Sequence, residues 1–261
     1  MVNPAATLTD RDTRMLVRLV ADTALLAGTH VERKRHLLAG LSGILDVDAW
    51  GWALSCQMVP GGPQVYVNYV KGGFSDNRFT RMMAAHSHPK MNQIGRRIFE
   101  EVARTKRTVT MARHQIDPDG RSFVGEVGRL WQEADIGSII LSFTPLDEKS
   151  ASGVAVFRRV GQPTFTDREI QIAQIVLTEV PWLHSLGWPD DRGVTVPQLT
   201  ARQRIVLNLL LDGLPRKRIA AQMHVSPLTL DGYVKAIFRH FGVRSQAALL
   251  RRFSGHIELN P

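Results

Sequence analysis

The stretch from Leu199 to Phe253, LTARQRIVLNLLLDGLPRKRIAAQMHVSPLTLDGYVKAIFRHFGVRSQAALLRRF, decides how this chain is organised. Thr200 and Gln203 form a capping box, in which the hydroxyl accepts from the Gln203 amide and the glutamine side chain reaches back. Ile205, Val206, Leu209 and Leu210 follow at helical spacing, and Gly213 supplies the stop. Pro215 suits the first turn of a second, short helix to about Met223, where a missing N–H loses no partner. Ile219, Ala220 and Met223 are its buried side. His224 and Val225 make a tight turn. Ser226 is an N-cap with Pro227 beside it, and a longer helix runs from there to about Phe241. Leu230, Val234, Ile237, Phe238 and Phe241 form its apolar stripe, while Asp231, Gly232, Lys235 and Arg239 lie elsewhere on its surface. Gly242 ends it, and Ser245 to Phe253 reads as a fourth helix.

Charge singles out the same stretch. Between Thr200 and Phe253 ten basic side chains stand against Asp212 and Asp231, a net +8 within a chain whose formal charge is +9. A localised positive excess on a small helical unit is the electrostatic footprint of a nucleic-acid binder. Two helices joined by a tight turn, the second basic on its free side, form the arrangement that lays a helix in the major groove.

The residues Leu199-Thr200-Ala201-Arg202-Gln203-Arg204, Gly213-Leu214, Ile219-Ala220, Val225-Ser226, Thr229, Ile237 and Phe241-Gly242-Val243-Arg244-Ser245 resemble the LuxR/GerE-type helix-turn-helix of bacterial transcription regulators. The resemblance covers about a fifth of the chain. It implies double-stranded DNA as partner and a homodimer as the working form, and it allows RNA polymerase as a further partner. Carried over by position, Lys217 and Thr229 fall where phosphate or helix-terminal contacts are usual, and Lys235 where a base-edge contact is usual. Arg239 and Arg244 flank the DNA backbone, Arg216 joins the phosphate-neutralising set, and Asp231 and Tyr233 stand beside Lys235 as base-edge readers. Four positions depart from the family: Asp231 replaces a usual Lys, Tyr233 a usual His, Gly232 a larger residue, and His224 a turn glycine. A carboxylate facing phosphates is repulsive, although it can accept from a cytosine amino group.

The 261 residues give room for one domain of ordinary size and one small one. No apolar run has signal-peptide or membrane-spanning length, so the expected compartment is the cytoplasm, with no membrane partner. The single cysteine, Cys56, cannot make an internal disulfide and reads as a small buried hydrophobe on a strand.

Upstream, Thr9 and Asp12 open a helix with Leu16, Leu19, Val20, Thr23 and Ala27 on one face, ending near Gly28; a second runs from His30 to Leu45. Strand character follows at Trp50 to Val59. After a Gly61-Gly62-Pro63 turn, the alternation of Val65, Val67 and Tyr69 predicts the second strand of a hairpin. Asp76 to Ala134 is expected to be mostly helical, interrupted at Pro89, Val109 and Asp117 to Gly120. Ser138 to Thr144 and Gly153 to Arg158 read as another hairpin, and Thr166 with Glu169 caps a closing helix to about Leu186. This order is similar to GAF-like sensor domains. The fold expected is therefore α+β: a GAF-like antiparallel sheet flanked by helices, then an all-α four-helix unit. Residues 1–187 form the sensory and dimerisation domain, 188–198 a linker, and 199–261 the DNA-binding domain.

A small-molecule pocket in the first domain would draw on Trp50, Trp52, Tyr66, Tyr69, Phe74, Phe123 and Trp131, aromatics that equally fill a sheet-on-helix core. The Trp, Tyr, Asp-Pro and Trp signature of pheromone-binding LuxR proteins cannot be placed here, which argues against a lactone. His86, His88 and His114 lack acidic or thiol partners in register, so no metal or other cofactor is expected. With no Gly-x-Ser-x-Gly elbow, phosphate-binding glycine loop or His-Glu-x-x-His, nothing points to an enzyme. The function expected is a DNA-binding transcriptional regulator modulated by an unknown signal. The rival reading, resting on Asp231 and Gly232, is an interaction protein that pairs with another regulator without binding DNA.

Overall fold

The computed structural model describes residues 7–55, 66–89, 95–120, 124–185 and 199–254. The chain divides into two units, Met1–His184 and Ser185–Pro261. Cys56, the Gly61 to Pro63 turn, Phe123 and the expected linker at 188–198 lie outside the described residues.

In the first unit, α1 (Asp10–Leu25) and α2 (His30–Leu45) each start on a capping box, Thr9 with Asp12 and Thr29 with Glu32. Val20 and Ala27, expected on the inner face of the first helix, are exposed: Val20 lies at the margin of the Leu16–Leu19–Thr23 stripe, and the helix stops before Ala27. Next come β1 (Ala49–Ser55), β2 (Tyr66–Gly72), α3 (Asp76–His86), α4 (Arg96–Thr105), β3 (Val109–Ala112) and α5 (Arg113–Ile116). The unit finishes with α6 (Gly125–Glu133), β4 (Ser138–Pro145), β5 (Ala151–Arg158), α7 (Asp167–Glu179) and α8 (Trp182–Ser185).

The strands form one sheet in the order β2-β1-β5-β4-β3, antiparallel throughout. Both expected hairpins are present, and β1 joins them by pairing with β5, Trp50 opposite Val156 and Trp52 opposite Val154. The third strand was not expected. Its four residues are too few for a period of two to show in sequence, and Val109 reads there only as a break between helices. The closing helix stops at Glu179 rather than near Leu186 because Val180 precedes Pro181, whose ring disfavours the helical conformation of its neighbour; Val180 sits at φ −115° and ψ 76°.

Successive strand residues face opposite ways, so the sheet has two covered faces. On one, Ala49, Ile139 and Phe157 pack with Met82 and Ala85 of α3 and Trp131 of α6. On the other, Lys34 of α2 is fully buried with its Nζ 3.6 Å from the centre of the Trp52 ring. The Trp52 indole N–H donates to Ser152 Oγ at 2.8 Å. His184 Nε2 donates to the Leu177 carbonyl at 2.6 Å, so its Nδ1 accepts from the Ser152 hydroxyl at 2.9 Å. Burial holds this histidine's pKa down at about 4, in keeping with the neutral tautomer.

Two buried arginines close helix ends. Arg158 donates to the Leu45 and Asp46 carbonyls at the end of α2 and to Glu169 at 2.6 Å. Arg78 donates to the Ala134 and Asp135 carbonyls after α6 and to Asp48. Unsatisfied helix-terminal carbonyls are costly to bury, which is why these guanidinium groups turn inward.

The second unit holds α9 (Ala201–Leu211), α10 (Arg216–Gln222), α11 (Pro227–Phe241) and α12 (Gln246–Ser254). The Thr200–Gln203 capping box forms, Ser226 caps α11 with Pro227 at its first position, and Gly242 ends it at φ 63°. Pro215 lies one position earlier than read, as the N-cap of α10 with extended backbone.

Candidate nucleic-acid interface

The short helix α10 and the longer α11 meet through buried Ile219, Ala220 and Met223 on one side and Leu230, Val234, Ile237 and Phe241 on the other. Phe238, read as part of that stripe, is only half-buried. His224 makes the turn between the helices with φ +50°, a left-handed conformation. Only glycine adopts that region without strain, so a side chain here costs roughly 1 kcal/mol, and the glycine usual at this place in the family has a physical reason.

Opposite the buried stripe, Leu228, Gly232, Lys235 and Arg239 follow one another at helical spacing on the exposed side of α11. Lys217 and Arg218 are exposed on α10, and Arg244 is exposed just beyond Gly242. Among the described residues these five cations have no carboxylate partner. Thr229, in the first turn of α11, is exposed with its hydroxyl 2.8 Å from that of Ser226, and Tyr233 is half-buried.

Arg216 differs. Its guanidinium donates to Asp231 Oδ1 at 3.0 Å, both side chains being about half exposed, and lies 5.7 Å from the Phe238 ring centre. The departure at Asp231 therefore has a partner inside the unit, at the edge where α10 and α11 meet. Gly232 has no such reason: a Cβ built there would meet nothing within 4 Å. Leu228, which the sequence reading passed over, is 82% exposed on the same face as Lys235.

In the first unit a cavity of about 50 Å³ lies against the sheet. Its floor is made of small residues, Gly51 opposite Ala155 and Ala53 opposite Gly153. Tyr66, Tyr69, Phe79, Phe143 and His86 wall it. Of the aromatics expected to line a pocket, Tyr66 and Tyr69 do, while Trp52 borders it with its ring on the opposite face of the sheet, against Lys34. Trp50 does not, because it alternates with Gly51 and its indole lies against Gly72, where a Cβ would come within 2.5 Å of the ring. Trp131 belongs to the packed core, 6.2 Å from the His86 ring, and Phe74 packs on Phe157 and Phe79. His86 escaped notice as a pocket residue, since His-x-His draws attention to metal. Its Nδ1 is closed off from solvent without a hydrogen bond, its ring stands edge-on to Tyr66 at 4.9 Å, and burial lowers its pKa to about 4. Burial likewise pushes the Tyr66 phenol up, so both groups are neutral near pH 7. Among the described residues no three His, Cys, Asp or Glu side chains converge as metal ligands, and no helix is long and apolar enough to cross a membrane.

Residues 197–253 match the family described as bacterial regulatory proteins, luxR family (GerE). The second unit thus carries a LuxR-family helix-turn-helix, the DNA-binding domain of a transcription regulator. No curated protein sequence matches the chain significantly. Among solved structures, Escherichia coli SdiA is similar at 11% identity over 95% of this chain and 99% of its own, with a TM-score of 0.45. The VqsR LBD domain from Pseudomonas aeruginosa is similar at 12% identity over 67% of this chain and 92% of its own, with a TM-score of 0.41.

Proposed function

We propose that this protein regulates transcription by binding double-stranded DNA as a homodimer, with α11 in the major groove and the first unit as an input domain that adjusts the DNA-bound geometry. The reading rests on one observation above all: a domain of this family leaves Lys217, Arg218, Lys235, Arg239 and Arg244 exposed and, among the described residues, without a carboxylate partner. Lys217, Arg218, Arg239 and Arg244 contact phosphates and fix register, while Lys235 reads base edges with Tyr233 beside it. Leu228 offers an apolar contact to a thymine methyl about two turns before Lys235. Arg216 is shared between Asp231 and phosphate, so Asp231 tempers the attraction at that point. Thr229 lies in the first helical turn, where backbone N–H groups favour an anion. One unit of this size makes too few contacts for strong selectivity, which is the reason for a dimer on a two-fold site. Such a protein works in the cytoplasm, and RNA polymerase becomes its partner when the output is activation.

The test is binding of the full chain to a pool of genomic DNA fragments at several salt concentrations. Enrichment of a two-fold symmetric site, with affinity falling steeply as salt rises, is expected. Absent or unselective binding would favour the rival, a protein that pairs with another regulator.

A further inference from the structure

We propose that two copies of this protein pair through the outer side of α1, the two helices antiparallel across a two-fold axis that passes between Val20 and Ala21. This rests on the homodimer reading of the function, and it names the surface of the first unit that carries the pairing.

The buried stripe of α1, with Asp12, Leu16, Leu19 and Thr23, uses one side of the helix. Away from that stripe Val17, Val20 and Leu25 are exposed by 62%, 39% and 85%, and Ala21 and Ala24 between them are exposed as well. These five positions have the spacing of a single apolar helix stripe. Of six large hydrophobic side chains exposed among the described residues, three belong to this one helix. Such side chains scattered singly are ordinary, but a run of them along one face marks a surface that meets another.

The order of the residues fits a second copy. About an axis between Val20 and Ala21, an antiparallel copy sets Val20 level with Ala21 and Val17 level with Ala24, a larger side chain opposite a smaller one each time. Leu25 falls between the levels of Arg14 and Arg18 of the second copy, whose aliphatic stems can cover it while their guanidinium groups stay in water. The same axis brings Arg18 within one residue, about 1.5 Å along the helix, of the level of Asp22 in the second copy. A two-fold axis makes every contact twice, so Arg18 and Asp22 of each copy are both engaged.

Within one chain this pair of charges is idle. Arg14 and Asp10 meet at 2.8 Å one turn apart, whereas Arg18 and Asp22, at the same spacing, have no ionic partner among the described residues. The acid precedes the base in the first pair and follows it in the second, and that order is the weaker one within a helix. A parallel arrangement would set Arg18 against Arg18 and Asp22 against Asp22, which repel.

The experiment is fluorescence-detected sedimentation of the full chain over a range of concentrations. The parent should dimerise reversibly. Arg18→Glu alone, or Asp22→Arg alone, turns two attractions into two repulsions and should weaken dimerisation on the order of tenfold. Mixing the Arg18→Glu chain with the Asp22→Arg chain places opposite charges at both contacts, so the mixed dimer should form as tightly as the parent's. Val17→Asp should weaken pairing at least as much. All these positions are exposed, so unfolding temperatures close to the parent's check that each variant is folded. A dimer indifferent to the single substitutions, or a mixture no tighter than either variant alone, would overturn the proposal and leave the homodimer to another surface. A parent that stays monomeric both free and on DNA would overturn it together with the homodimer.

Discussion

Replacing Asp231 by Asn tests what the carboxylate on α11 is for. In the free protein it holds Arg216 at 3.0 Å, with both side chains about half exposed. A pair so exposed contributes about 0.2–1 kcal/mol, so Asp231→Asn should lower the unfolding free energy by less than about 1 kcal/mol. The larger effect is on DNA. Freeing Arg216 adds one phosphate contact per protomer, two per dimer, and each steepens the dependence of log K on log salt by about 0.9. The slope should grow by about 1.8, so halving the salt should gain the variant roughly threefold more affinity than it gains the parent. Fluorescence anisotropy with a labelled operator at four or five salt concentrations reads both slope and intercept. An unchanged slope, with weaker binding and a lost preference at one C·G pair, would refute the reasoning. Asp231 would then be accepting from a cytosine amino group rather than restraining Arg216.

Three further outcomes follow. Lys235→Ala should change the ranking of DNA sites, costing about 1–3 kcal/mol at one base pair, whereas Lys217→Ala should weaken all sites alike and reduce the salt slope; selection from a randomised operator pool would expose any failure of that contrast. Gly232→Ala should stabilise the second unit by up to about 1 kcal/mol, since glycine is a poor helix former and a Cβ there meets nothing; a lower denaturation midpoint would contradict the exposed geometry. His86 and His184 have folded pKa values lowered to about 4 from an ordinary 6.5, so below pH 6.5 the unfolded chain takes up protons that the folded one refuses. Their contribution to stability is complete above pH 6.5 and is lost as pH falls from 6.5 toward 4, by about 1.4 kcal/mol per pH unit for each fully discriminated histidine. Urea midpoints that stay level between pH 7 and 5 would show that neither ring is held neutral.

What could be read from the sequence was whatever short-range chemistry decides. The Thr200–Gln203 and Thr166–Glu169 boxes, the Ser226–Pro227 start and the Gly242 stop each depend on residues within four positions, and all of them form. The two hairpins were legible for the same reason. The pairing of β1 with β5 links residues about a hundred positions apart, as Trp50 with Val156 does, and no local pattern announces it. The strand Val109–Ala112 is defined by its bonds to β4, with Met111 opposite Leu141 and Ala112 opposite Ile140; without that neighbour it is four unremarkable residues.

The functional surfaces divide along the same line. Helical spacing alone places Lys235 and Arg239 on one side of a helix, because their direction is fixed by the stripe that is buried. Residue type, by contrast, does not fix a role that depends on a partner. Lys34, flanked by Arg33 and Arg35, looks like part of a solvated basic face, yet it is buried against Trp52. Asp231 looks like a charge set against phosphate until Arg216 is seen beside it. A Cβ at Gly51 or at Gly232 would meet nothing within 4 Å, so packing requires neither glycine. What separates them is position: Gly232 lies on the exposed side of α11, whereas Gly51 lies in a strand paired on both sides, beside a cavity.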